Sequence, residues 1–388
     1  MIKFVEIFSA SIPMQKAFNH STKKRKLTDS IIVEITSSEG TKGWGEGAPR
    51  SYVSGETLNT AINTLKCFDF KYLNSIIRWN KFEEGGKDIF EQNWLHLINK
   101  KFFSPAAAAA VEIACIDMLC KMHSRRISDF LNLFLFKRNH PIQQQIPVSF
   151  VIDLSVSAKT VLSSLSSETL KQLHCVKIKA HRCIESSVLT LKEVKSLLYP
   201  HTYVSIDVNG VWNIPEIEDF AKDLDLVSWI EEPIRPKKWS QLAKLRAKHN
   251  FQIMLDESFA NEKDIHRAVK YGSCDLMNVR ISKCGGITAS VKLIRRIRQV
   301  GLKYQLGVHV GEIGPLWAAS RAVAFALDDY ITIEAGKQDE WFSKALTEPP
   351  FKIDRKKSAI EYLPNIDLGL RPSPYLLARL KKIADMSI

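Results

Sequence analysis

The chain has 388 residues, 45% apolar and 25% charged, which suits a soluble globular protein with a large core and room for two domains. Its formal charge of +13 sits in short, scattered runs: Lys23-Lys24-Arg25-Lys26, Arg295-Arg296 with Arg298, Arg355-Lys356-Lys357, and Lys381-Lys382. With no helix-turn-helix, finger or RNA-binding signature beside them, these runs read as solvated faces or as steering for an anionic substrate, which sets nucleic acid aside as a partner; no apolar run reaches the roughly 18 residues of a membrane helix, and an odd set of seven cysteines without a C-x-x-C pair excludes a zinc site or disulfide framework and fits a reducing cytoplasm.

The first elements predict an α+β unit over residues 1–135. Ile2–Pro13 alternates and reads as a strand, not as a signal peptide, because no basic stretch precedes a long apolar one. Asp29–Ser37 is a second strand, and the glycines of Gly40–Gly47 turn into a third. Helices are expected at Glu56–Phe68, at about Lys87–Lys101, and at Pro105–His123, where a proline at the first turn precedes an alanine run. From about residue 145 the pattern changes to strand–helix alternation. Eight strands are predicted: Ile146–Ile152, Val176–Ala180, Tyr203–Asn209, Leu226–Pro233, Phe251–Ser258, Leu276–Lys283, Lys303–Val310 and Ile331–Ala335. Six helices lie between them: Ser186–Leu198, Ile214–Asp223, Trp239–His249, Glu262–Tyr271, Ile287–Val300 and Pro315–Leu327. The fold class is therefore α/β, a TIM-type (β/α) barrel over residues 136–340, capped by the N-terminal unit. Residues 341–388 lack the repeat and are expected to return to the cap.

Charged residues end the barrel strands. Asp207, Glu231 and Asp256 lie about 25 residues apart, one strand and one helix per step. Strand C-termini converge on one mouth of such a barrel, where three carboxylates repel unless a cation sits among them or some are protonated. An all-oxygen set suits Mg²⁺, which leaves positions for water or substrate oxygens, with Mn²⁺ as a substitute. The doublets Glu231-Glu232 and Asp256-Glu257 offer two carboxylates each, and neighbours on a strand point to opposite faces, so one of each pair faces the mouth. Lys177 and Lys179, two apart, share a face, and two ammonium groups confined together lower each other's pKa towards that of a usable base. Lys283 ends the sixth predicted strand, nearly opposite the second.

These segments, from G-W-G-E-G-A-P at Gly43–Pro49 to G-V-H-V-G-E at Gly307–Glu312, resemble the enolase superfamily in its muconate lactonizing enzyme subgroup. The resemblance implies Mg²⁺ on Asp207, Glu231 and Asp256, leaving Glu232 and Glu257 behind them. It implies Lys179 and Lys283 as the acid/base pair, with Lys177 supporting Lys179 or the substrate carboxylate. Asn209 completes a D-x-N with Asp207, and Glu312 matches the seventh-strand glutamate; both are expected near the substrate. His309 is read as packing first and as a pocket residue second. The family's dipeptide epimerases carry D-x-D on the eighth strand, whereas here I-T-I-E-A-G offers Glu334 alone, which weakens the case for a free substrate amine. Cap loops set specificity in the family; here they hold Phe18, His20, Lys23 and Lys24, then Arg50, Ser51 and Tyr52, with Arg50 the candidate for a second anionic group of the substrate.

The implied chemistry is removal of a proton next to a small-molecule carboxylate, giving a racemase or epimerase of a dipeptide or N-acyl amino acid. A cycloisomerase or an o-succinylbenzoate synthase-type dehydratase shares that first step. A basic, non-catalytic binding protein on the same scaffold is the contrasting reading, at odds with the lysines and the carboxylate triad occurring together. No membrane partner is expected, and a homo-oligomer is compatible with the family.

Overall fold

The alternation of Ile2–Pro13 and Asp29–Ser37 builds an antiparallel sheet. The computed structural model describes residues 1–19, 24–98, 100–134, 143–363 and 367–388. In it, β1 (Ile2–Asn19), β2 (Lys24–Ser37) and β3 (Lys42–Gly47) lie side by side, each antiparallel to the next. Both faces of β2 are covered: Ile31, Val33 and Ile35 enter the main core, while Ile32 joins Ala10, Ile12 and Met14 against Ile313, Trp341 and Leu376. His20 and Lys23, expected in a cap loop, lie outside the described residues, as does the start of the first basic run.

The alanine run forms the helix Pro105–Met122, with Ser104 Oγ accepting from Ala107 N at its start. This helix is buried on nearly every side. Its small residues let β3 approach closely: a Cβ at Gly43, Gly45 or Gly47 would overlap the carbonyl oxygen of Ala114, Ala110 or Ala106, respectively. The helix expected near Lys87–Lys101 is instead broken into Phe82–Glu91, Trp94–Leu97 and a short turn at Lys100–Phe102.

The second half forms a parallel sheet of seven strands: β5 (Ser149–Ile152), β6 (Cys175–Lys179), β7 (Tyr203–Asp207), β8 (Trp229–Glu231), β9 (Gln252–Leu255), β10 (Leu276–Arg280) and β11 (Lys303–Gly307), neighbours in chain order. Three predictions shift. The first strand splits, because β4 (Gln145–Pro147) pairs antiparallel with β13 (Ala359–Glu361) and only β5 enters the barrel. Ile331–Ala335 is not a regular strand among the described residues. It makes one parallel bridge, Leu306 to Ile333, and also accepts from Ser149 N at Ile333 O (2.8 Å), spanning the gap between β11 and β5. Third, the sixth strand ends at Arg280, and Ile281–Cys284 is a helical turn.

Beyond the barrel, β12 (Thr347–Glu348) pairs with β14 (Arg371–Pro372), and β15 (Leu380–Ser387) adds antiparallel to β1, so Phe4 lies opposite Ser387. Among the described residues no helix is long and apolar enough to cross a membrane.

Candidate functional site

Register aligns the charged strand ends. Lys179, Asp207 and Glu231 are side-by-side partners on β6, β7 and β8, and Asp256 follows the end of β9. All four are buried. Lys177, one alternation back from Lys179, sends its ammonium to Glu231 Oε2 (2.7 Å), Glu334 Oε1 (2.7 Å) and Asp207 Oδ2 (3.1 Å). Burial opposes its charge, but the three carboxylates hold its pKa well above the ordinary lysine range. This reverses the lowered pKa expected of a lysine pair: counter-charge outweighs like-charge repulsion here. Lys179 Nζ donates to Asp207 Oδ2.

The doublets resolve differently from one another. Glu231 faces the mouth and accepts from Asn278 Nδ2 at 2.9 Å. Glu232, at φ 43°, turns away and clamps the next strand end, accepting from Asp256 N (2.9 Å), Ser258 N (3.0 Å) and Ser258 Oγ. Glu232 thus fixes the backbone that presents Asp256. Glu257, expected behind the site, instead lines the cavity, with its Oε1 accepting from Asn209 Nδ2 at 3.0 Å.

Burial and mutual repulsion act on this carboxylate set. Burial first, then Asp207, Asp256 and Glu334 against the attraction of Lys177, push Glu231 up to about 7. Burial, then Asp256 and Glu232, hold Glu257 well above the carboxylate range. The oxygens of Asp207, Glu231, Asp256 and Glu257 form a hard donor set under like-charge pressure, and Glu257 Oε2 is buried with no hydrogen-bond partner. Such a set fits a divalent cation. As the side chains stand, no three acidic, histidine or cysteine residues among those described converge on a single point, because Lys177, Lys179 and Arg280 reach between the carboxylates.

Two sixth-strand cations separate. Arg280, missed in the sequence, lines the cavity and places Nη2 2.5 Å from Asp256 Oδ2 and 3.6 Å from Glu231 Oε1. Lys283, expected at the strand end, sits in the helical turn with its side chain fully buried, donating to Asp256 O, Asp256 Oδ1 and Asn278 O, each at 2.8 Å. Like Asp207, Glu231 and Asp256, it lies behind the cavity lining. The period-two alternation from Asn278 pointed to Arg280.

The cavity, about 400 Å³, runs outward from Lys177, Lys179, Asn209, Glu257, Arg280 and Glu334. Its walls include Phe150, Ile152, Leu165 and Ile353; Tyr52 from the cap and Lys337 also reach it. Of the Arg50-Ser51-Tyr52 loop, only Tyr52 lines it. The expectation that Arg50 meets a substrate anion is corrected. Its buried guanidinium donates to Asp29 O (2.6 Å), Pro49 O (3.0 Å), Thr28 Oγ1 (3.1 Å) and Val310 O (3.0 Å), bracing the cap against the loop after β11. Glu312 and His309 also lie outside the lining: Glu312 Oε1 accepts from His309 N at 2.8 Å, and burial with nearby Glu46 pushes Glu312 up to about 8.

Residues 164–364 match the family model described as Enolase C-terminal domain-like. The chain is 27% identical over 335 residues to the hydrophobic dipeptide epimerase of Enterococcus faecalis (strain ATCC 700802 / V583), spanning 83% of this chain and 87% of that protein. It is 24% identical to the N-succinyl-L-Arg/Lys racemase of Bacillus cereus, spanning 86% of each. The crystal structure of a dipeptide epimerase from Cytophaga hutchinsonii, complexed with Mg and the dipeptide D-Ala-L-Val, superposes with a TM-score of 0.80 at 20% identity, covering 99% of both chains.

Proposed function

We propose, given that the chain belongs to the Enolase C-terminal domain-like family, that it is a Mg²⁺-dependent isomerase that removes the proton next to the carboxylate of an amino-acid derivative, a dipeptide or an N-acyl amino acid, and so racemises or epimerises it. One observation carries this reading: Lys177 and Lys179 meet Asp207, Glu231, Asp256 and Glu257 at one end of a parallel sheet, and the two lysines with Glu257 open onto a cavity with apolar walls. The relatives named as epimerase and racemase support it along most of their length.

Asp207, Glu231 and Asp256 would hold the ion, which supplies positive charge for the substrate carboxylate and for the charge that grows on it as the proton leaves. Lys179 Nζ, at the cavity wall, takes that proton. Lys177, held as an ammonium by Asp207, Glu231 and Glu334, and Arg280, held by Asp256, keep fixed positive charge beside the developing enediolate, where preorganised charge is most effective. Glu232 and Lys283 hold Asp256 in place.

The test is proton NMR in D₂O with Mg²⁺, using dipeptides, N-succinyl and N-acyl amino acids. Loss of an α-proton signal is expected, reduced about 10²–10⁴-fold in Lys179→Ala. No exchange with any of these substrates would defeat the reading. A cycloisomerase or dehydratase shares the first step, and the arginine at the sixth strand end favours it as the second reading.

A further inference from the structure

We infer that the two opposed strand ends beside the bound substrate differ in kind: β6 presents amines, and β10 presents a guanidinium that holds charge but moves no proton. This rests on the proton abstraction proposed above and narrows its outcome: exchange with retention outruns the racemisation or epimerisation named there. In the sheet, β6 and β10 are separated by β7, β8 and β9, so their ends look at each other across the mouth. β6 contributes Lys177 and Lys179 to the cavity wall, and β10 contributes Arg280.

Lys283 does not fill the missing role. An ammonium has three N–H donors, and those of Lys283 go to Asp256 O, Asp256 Oδ1 and Asn278 O. Its side chain is fully buried, and Phe259 lies across it, with the ammonium 5.2 Å from the ring centre. The turn that places it there is closed by Gly285 and Gly286 at φ 92° and 124°, so extending the strand to carry Lys283 to the mouth would mean rebuilding the turn. Arg280 is anchored with the opposite orientation. Asn278 and Arg280 share one face of β10, and both reach Glu231, through the 2.9 Å hydrogen bond and the 3.6 Å ion pair. A guanidinium keeps its proton throughout the pH range of enzymes.

The chemistry follows from this asymmetry. The Lys179 amine takes the α-proton as the C–H bond breaks, and the electron pair passes into the carboxylate group as an enediolate. Lys179, now an ammonium, returns a proton, or a deuteron after exchange with D₂O, to the same carbon from the same side. The C–H bond re-forms with retention. Inversion requires a proton donor on the opposite side, where β10 presents the Arg280 guanidinium in place of an amine. Loss of a leaving group from the next carbon requires none.

The test follows one enantiomer at a time in D₂O with Mg²⁺, with N-succinyl-L-lysine and L-leucyl-L-tyrosine as probes, reading deuterium at Cα by NMR and configuration by chiral separation. In the wild-type protein, deuterium is expected in the unchanged enantiomer about a hundredfold faster than the opposite enantiomer appears. Arg280→Lys, which places an amine on the second face, is expected to raise inversion per exchange event. Inversion keeping pace with exchange in the wild type overturns the inference. So does an Arg280→Lys protein that folds and exchanges with an unchanged ratio. Should Arg280→Lys fail to fold, the wild-type ratio decides alone. No exchange in the wild type with either probe or with the wider panel overturns the proposed reaction, and this inference with it.

Discussion

Lys177 is a cation with three carboxylate partners and almost no contact with solvent. Removing one member of such a buried set leaves uncompensated charge, which costs more than the set itself contributes. Lys177→Met should therefore lower stability by about 3–5 kcal/mol in urea unfolding without Mg²⁺. Added Mg²⁺ should recover part of the loss, because a bound cation replaces the missing charge beside Asp207 and Glu231. A loss that Mg²⁺ does not touch would mean that these carboxylates do not form the ion site. Much of this centre was legible in the sequence: Lys177, Lys179, Asp207 and Glu231 come together because strand alternation and register follow directly from spacing. Lys283 was misplaced because the strand stops at Arg280, and a helical turn there breaks the alternation that would have carried it to the mouth. Arg50 was misread for a different reason. A basic residue in a turn looks solvated, and nothing local shows that Val310 O, 260 residues away, accepts from it.

At the scale of elements, β3 and the helix Pro105–Met122 explain each other. Glycine alternates along the strand on the side where helical alanines present their backbone. The helix period was readable, but the contact was not, because a helix buried on nearly all sides carries little amphipathic signal. Gly45→Ala places a methyl group against Ala110 O, where both partners are backbone and neither can rotate aside. The expected cost is about 1–3 kcal/mol or more, as for overpacking generally. Thermal unfolding measures it, and Gly40→Ala is a different comparison, because there the space is open and only the left-handed φ of 86° opposes the change. The eighth barrel segment shows the reverse case. Ile331–Ala335 is β-branched and strand-like in composition, yet its backbone hydrogen bonds are divided between Tyr304 and Leu306 on one side and Ser149 on the other, and regular pairing does not develop.

Across the whole molecule, cap and barrel are joined by buried carboxylates as well as apolar contacts. Glu112, on the cap helix, accepts from Thr288 N at 3.0 Å and from Ile287 N and Thr288 Oγ1, at the start of the barrel helix Ile287–Gln299. Burial raises its pKa to about 7 from an ordinary 4.5. The folded chain then binds a proton that the unfolded chain releases, so this group's contribution is complete below about pH 4.5 and is lost as the pH rises through about 7. Glu112→Gln, which mimics the protonated acid, should flatten the fall in urea midpoint between those pH values; an unchanged slope would rule out Glu112 as its source. Glu46 makes a parallel tie, accepting from Ile313 N, Gly314 N and Leu316 N. The basic charge is less eventful: Arg298 pairs with Asp329, Arg355 with Asp339 and Glu340, and Lys382 with Glu6 and Asp385, as scattered solvated runs predict. The two-part α/β pattern was legible because its periods differ, whereas the partner of the last strand was not, because pairing across such a separation leaves no local mark.

That last pairing sets an order in time. β1 borders β2 on one side and β15 on the other, and about 360 residues separate β1 from β15 along the chain. At about 5–20 residues per second, a ribosome takes roughly 20–70 s to cover that distance. During this interval one edge of β1 offers unpaired backbone groups to any passing strand, a recognised route to aggregation. The cell's first encounter with this protein is therefore with an unsealed sheet, and chaperone demand should depend on how fast the second half of the message is read.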